Sequence, residues 1–214
     1  MPDPADDKAT ARSRFVNNRR ALDHAERTEQ SRLAVARLLA EPRLTSANTV
    51  AAYWPLGTEP DTRPLLEALL GRGTRLLLPV LLEDRDLDWA LYAGSATALL
   101  PGGAGTSRPT GVLLGLDAVL AAEAVLVPAL AVTPQGVRIG RGGGSYDRVL
   151  ARINTAPSPR PWTCALLYEH ELGALPPTAV ELHDEPVDAA CTATRLVEFG
   201  LTAPSQGAAP GRRG

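Results

Sequence analysis

The sequence predicts a three-layer α/β/α domain around a mainly parallel sheet. Strand-length apolar runs alternate with segments of helical periodicity, the pattern that lays parallel strands between helices. The 214 residues fit one domain with a full core. Composition agrees: 44% hydrophobic and 21% charged residues are those of an ordinary globular chain.

In chain order, residues 8–23 and 28–40 read as helices rich in Ala, Arg and Leu; Leu33, Val35, Leu38 and Leu39 give the second a buried side, and Pro42 ends it. Lys8 and Arg12 are four apart and project from one face of the first helix, where both can meet one anion. Thr49 to Trp54 reads as a buried strand closed by the turn Pro55-Leu56-Gly57. A helix from Asp61 or Thr62 to Leu70 stops at Gly71 and Gly73. Arg75 to Val80 is a strand, and Leu87 to Tyr92 a half-buried strand at a sheet edge. Residues 100–115, full of Gly, Pro, Thr and Ser, are expected to form a long surface loop. Ala124 to Pro128 and Thr163 to Tyr168 complete the strands, with a helix from Tyr146 to Ile153 between them. Residues 1–7 are expected to be flexible, 8–200 to form the single domain, and 201–214, rich in Pro, Gly and Ala, to be disordered.

Ligands in such sheets bind beyond the carboxyl ends of strands, and Glu59, Arg141 and Glu169 all fall just after strands. The segment from Val137 to Arg148 is the most specific: it gathers Gly140, Gly142, Gly143, Gly144, Arg138, Arg141, Arg148, Ser145, Tyr146 and Asp147 between a strand and a helix N-terminus. Glycines allow close backbone approach and converging N–H groups, arginines add charge for phosphate oxygens, and helix N-termini attract anions. Asp147 can then hold a metal. A dinucleotide fingerprint would need glycine where Ser145 stands, and a P-loop would need Gly-Lys-Ser/Thr.

The net charge of −2 gives no general pull toward nucleic acid. Of 22 basic residues, Lys8 is the only lysine, and an ammonium is not interchangeable with a guanidinium where a point charge must sit on phosphate. Cys164 and Cys191 lack zinc spacing and are too few for a disulfide framework; Cys164 reads as core. No run approaches membrane-span length and the acidic amino terminus is no signal peptide, so the expectation is a cytoplasmic monomer that binds neither membrane nor nucleic acid. His24 and His170 are expected to face solvent, Trp89 to be core or cleft wall, and Trp162 to pack at the start of a strand.

Four blocks in order resemble the 5-formyltetrahydrofolate cyclo-ligase family from about Lys8 to Thr194: the Lys/Arg-bearing first helix, Tyr53-Trp54-Pro55 with Glu59-Pro60-Asp61-Thr62, the loop from Gly140 to Asp147, and His183-Asp184-Glu185-Pro186-Val187-Asp188. The resemblance implies ATP- and Mg²⁺-dependent closure of 5-formyltetrahydrofolate to 5,10-methenyltetrahydrofolate through phosphorylation of the formyl oxygen. It also implies Lys8 and Arg12 as phosphate contacts, Arg138 to Tyr146 as the nucleotide loop with Lys8, Arg12, Arg141 and Tyr146 acting on the reaction, Trp54 and Glu59 as folate contacts, and Asp147 and Asp184 as Mg²⁺ ligands. Asp184 also reads as part of a solvated turn, Trp54 as core, and Glu59 as a charge near a helix N-terminus. Ser145 stands where many relatives carry tyrosine, Arg108-Pro109 where Glu-Pro is common, and Thr194 where an acidic residue is frequent. A non-catalytic or slow folate- or nucleotide-binding member is the alternative, and an isomerase- or acyltransferase-like enzyme on the same fold, which would need no ATP, is another.

Overall fold

The computed structural model describes residues 8–94, 99–176, 179–181 and 183–200; the expected flexible start at 1–7 and disordered tail at 201–214 lie outside them. Helices α1 (Lys8–Ala21) and α2 (His24–Leu38) come first, followed by the single turn α3 (Pro42–Thr45). Asp23 starts α2 four residues earlier than periodicity suggests, because its carboxylate accepts from Glu26 N at 2.7 Å. Pro42 opens α3 at a position where its missing N–H costs nothing, so it begins a helix here as well as closing off the one before it.

Strand β1 (Thr49–Ala51) leads through Tyr53 to α4 (Arg63–Gly71), then come β2 (Arg75–Leu81) and β3 (Leu87–Tyr92). Residues 100–115 are more ordered than the expected loop: β4 (Leu99–Pro101) pairs antiparallel with β5 (Ser107–Pro109), and Leu113 bridges to Ala90. After a 3-10 turn at Leu116–Ala121 come β6 (Ala124–Pro128), the short hairpin of β7 (Ala131–Val132) and β8 (Arg138–Ile139), α5 (Ser145–Asn154), β9 (Trp162–Leu166), β10 (Ala189–Cys191) and β11 (Leu196–Glu198). The hairpin β7/β8 and the last two strands are too short to leave a periodic signal.

The main sheet has the order β11-β10-β9-β6-β1-β2-β3; the contacts from β10 to β2 are parallel, and antiparallel β3 and β11 form the edges. Alternation fails at the end of β3, where Leu91 is exposed and Tyr92 buried. One face is covered by α2 and α4 through Leu38, Leu65, Leu66 and Leu69. The other is covered by α5 and the 3-10 turn through Val149, Leu150, Ile153 and Val119 around Trp89, which is core. Cys164 and Cys191 are buried thiols in the first layer. Helix α1 belongs to neither layer: Ala11 and Phe15 pack with Leu130, Ala131 and Ile139, seating it over the β7/β8 hairpin beyond the carboxyl end of β6. No described helix is long and apolar enough to cross a membrane.

Candidate active site

Chain order leaves β1 in one direction toward β2 and returns on its other side as β6, so a crevice opens beyond the carboxyl ends of β1 and β6. The cleft there is lined by Tyr53, Trp54, Leu56 and Glu59 after β1, by Pro128 to Leu130 after β6, and by the loop from Gly140 to Asp147. Its open space, about 210 Å³, is many times what one water needs.

The glycine loop is shaped for this place. Gly142 (φ 98°) and Gly144 (φ 71°) are left-handed, a conformation open to glycine at little cost, and a side chain at Gly140 would come within 2.8 Å of Arg138 Nη1. Gly144 caps α5 with no side-chain hydrogen bond to its first amides, leaving the positive end of the helix toward the cleft. Arg12 Nε donates to the Gly140 carbonyl at 3.1 Å and so fastens α1 to the loop.

Both carboxylates expected at a metal hold cations. Asp147 Oδ1 accepts from Arg138 Nη2 at 2.8 Å, and Arg138 is only 2% exposed. Burial lowers the affinity of the Arg138 guanidinium for its proton while Asp147 and Asp184 favour it. Asp184 Oδ1 accepts from Lys8 Nζ at 2.6 Å and its Oδ2 from Glu181 N at 2.8 Å. Lys8 also meets Glu181 at 2.8 Å, which holds that carboxyl below the usual range. The Asp184 side chain is therefore buried in an ion-pair cluster with Lys8 beside Glu181, and is not part of a freely solvated turn. His183 sits 3.5 Å from Lys8 Nζ. Among the described residues no group of three or more His, Cys, Asp or Glu side chains forms a ready cation cage.

The floor is different in kind. Glu59 accepts from Leu56 N at 2.9 Å and pairs with Arg141 Nε at 3.2 Å, yet burial dominates and raises its carboxyl above the usual value. The hydroxyls of Tyr53 and Tyr146 are buried without a hydrogen-bond partner. Trp54, half-buried, lies 5.8 Å from the Tyr92 ring.

Of the expected site residues, Arg12, Trp54, Glu59, Arg138, Gly140, Arg141, Gly142, Gly143, Gly144, Ser145, Tyr146, Asp147 and Asp184 all line this cleft, with Lys8 bound to Asp184 at its side. Glu169 does not; it pairs with Arg195 at 3.2 Å. His24 is exposed, but His170 is only partly so: its Nε2 is buried and its ring stacks on Tyr168 at 6.3 Å. Trp162 takes the Arg43 guanidinium over its ring at 4.3 Å at the entry to β9.

Sequence reasoning missed Arg19. It lies in the cleft floor at 1% exposure and grips Glu171 through two hydrogen bonds, at 2.6 and 2.9 Å, while also donating to the Ala129 carbonyl. The signal was present in the i, i+4 spacing of Ala11, Phe15 and Arg19, all on the buried side of α1.

A model of the 5-formyltetrahydrofolate cyclo-ligase family matches residues 4–193. The chain is 36% identical over 148 residues to a 5-formyltetrahydrofolate cyclo-ligase of Mycolicibacterium smegmatis, covering 67% of this chain and 74% of that one. It is 28% identical over 186 residues to the enzyme of the same name from Escherichia coli, covering 85% of this chain and 97% of that one. Its fold matches the solved Aquifex aeolicus 5,10-methenyltetrahydrofolate synthetase with a TM-score of 0.75 at 25% identity, over 90% of this chain and 93% of that one. The Mycoplasma pneumoniae structure of that name shares the fold at a TM-score of 0.67 and 18% identity, over 87% of this chain and 99% of that one.

Proposed function

Since the chain belongs to the 5-formyltetrahydrofolate cyclo-ligase family, we propose that it closes 5-formyltetrahydrofolate to 5,10-methenyltetrahydrofolate at the expense of ATP, with Mg²⁺ bound to the nucleotide. One observation carries this reading: a left-handed glycine loop opening α5 shares a cleft with Arg12, Arg138, Asp147 and the Lys8-bound Asp184.

The chemistry follows from what these groups offer. The formyl oxygen of the substrate is a poor leaving group, so it must first attack the γ-phosphate, releasing ADP. N10 of the folate then adds to the activated carbon and gives up its proton, and phosphate departs to leave the closed methenyl ring. No protein nucleophile is needed; the work is charge stabilisation and placement. Lys8, Arg12 and the loop amides hold the triphosphate, and Arg141 and Tyr146, which line the same cleft, act on the phosphoryl transfer. Trp54 and Glu59 orient the pterin.

Asp147 and Asp184 fit the metal: two hard oxygen donors, completed by phosphate and water, suit Mg²⁺. When bound, the ion would neutralise charge developing on the phosphates. Each carboxylate holds a cationic side chain, Lys8 on Asp184 and Arg138 on Asp147, so the two would hold the ion in exchange for these partners, freeing the cations for phosphate.

The test is the near-ultraviolet absorbance of methenyltetrahydrofolate when the protein meets 5-formyltetrahydrofolate. A rise that requires both ATP and Mg²⁺ is expected. No rise from folded protein would favour a binding-only member, the reading to which Ser145 points, and a rise without ATP would overturn the phosphorylation step.

A further inference from the structure

Tyr53 is a polar group of the cleft that the reaction above leaves unused, and its hydroxyl is unpaired. It follows β1 directly, its backbone carbonyl accepts from Thr62 Oγ1 at 2.7 Å, and its ring is 3% exposed. The hydroxyl has no partner in the protein. The ionisable groups that act on it are Glu59, Arg19, Tyr146 and Tyr168. The two charged ones are already engaged, Arg19 with Glu171 and Glu59 with Leu56 N and Arg141. A buried hydroxyl left unpaired is destabilising, and Tyr53 lines the cleft.

The surroundings define what can satisfy it. Burial and the neighbouring Glu59 both raise the phenol well above its ordinary value, so it stays neutral and can donate as well as accept. Leu56, Pro79, Leu81 and Leu87 line the cleft with Trp54, adding apolar surface to it. These features suit a neutral heteroaromatic ring with donors and acceptors on its edge.

We propose that the Tyr53 hydroxyl is a specificity-determining group that hydrogen-bonds the polar edge of the pterin ring and tells the folate from ring systems lacking that edge. This rests on the folate-ligase reading above. Tyr53 is thus a recognition residue, while phosphate handling stays with Lys8, Arg12 and the glycine loop.

Tyr53→Phe tests it, because deleting the hydroxyl gives opposite signs in the free and bound states. The free variant should melt at the same temperature as the parent or higher, since an unpaired buried polar atom is gone. The KM and Kd for 5-formyltetrahydrofolate should rise about tenfold, which is 1.4 kcal/mol, with the KM for ATP unchanged. Inhibition by p-aminobenzoylglutamate, which lacks the ring, should be unaltered.

An unchanged folate KM and Kd, with the parent active, would overturn the assignment and leave the ligase reading intact. A lower melting temperature with both KM values raised would also overturn it, showing a packing role. Weaker inhibition by p-aminobenzoylglutamate would move the contact to the tail and refute the ring assignment. A parent protein that neither binds nor turns over 5-formyltetrahydrofolate would remove the ligase reading itself, and this inference with it.

Discussion

On the cationic wall of the cleft Lys8, Arg12, Arg138, Asp147 and Asp184 each hold a partner within the protein, whereas on the floor two tyrosine hydroxyls hold none. The wall is paired within the protein, so ligand binding there would be an exchange, its energy the difference between two well-paired states. On the floor binding is completion, and even a single neutral hydrogen bond counts in full. In the proposed reaction charge on the wall would supply rate, through groups placed before the transition state forms, and the floor would supply selection, because an analogue that leaves a buried polar atom unpaired is penalised.

Lys8 offers the largest break in this contrast. Replacing it by alanine should lower kcat/KM for ATP by about 10²- to 10³-fold, the loss typical of removing one preorganised electrostatic contact. Circular dichroism and folate Kd should stay as in the parent. Lys8→Arg should recover little, because a planar fork does not substitute for a point charge set between Asp184 and Glu181. Unchanged ATP affinity in Lys8→Ala would mean that the ion pairs with Asp184 and Glu181 are its whole role, and the wall would be structural.

Asp147→Asn should come next. The Mg²⁺ concentration for half-maximal rate is expected to rise at least tenfold or so. The variant should also lose stability, because Arg138 is buried and would face only a neutral amide. A stability loss with an unaltered Mg²⁺ requirement would assign Asp147 to Arg138 alone. Tyr53→Phe, at about tenfold in folate KM, probes the opposite side, and the two variants should affect different substrates.

How far the sequence announced this cleft depends on which side is considered. The wall was legible because its chemistry is local: Gly140 to Asp147 is contiguous, and Lys8 and Arg12 share a helix face by spacing alone. The parallel sheet was equally legible from the alternation of elements. The two-residue β7/β8 hairpin, three-residue β10 and β11, and α3 begun by Pro42 were not, since tertiary contacts rather than periodicity hold such short elements. The floor was legible only in part. Trp54 and Glu59 came from the family resemblance, but the surroundings of Arg19 and Tyr53 include neighbours more than a hundred residues away, Glu171 and Tyr168. A hydroxyl without a partner leaves no trace in sequence at all.

Glu59 provides the smallest test and the one most directly about the floor. Its folded-state carboxyl is raised chiefly by burial, against the hydrogen bond from Leu56 N and the charge of Arg141. Between the ordinary glutamate value, about 4.3, and the raised folded value, the folded protein binds more protons than the unfolded chain. Its stability contribution therefore falls as pH rises through that interval; it is absent below it and fully unfavourable above it. Glu59→Gln has no such proton, so the melting temperature of the parent relative to this variant should fall as pH rises from about 4 to 8. Should the difference stay constant, the contacts from Leu56 and Arg141 already compensate the buried charge, and the floor would be as self-satisfied as the wall. A decline would instead show a protonated fraction of Glu59 persisting above the ordinary range, able to donate to an acceptor on a neutral ring. That is the property expected of a floor whose polar atoms are paired by the substrate.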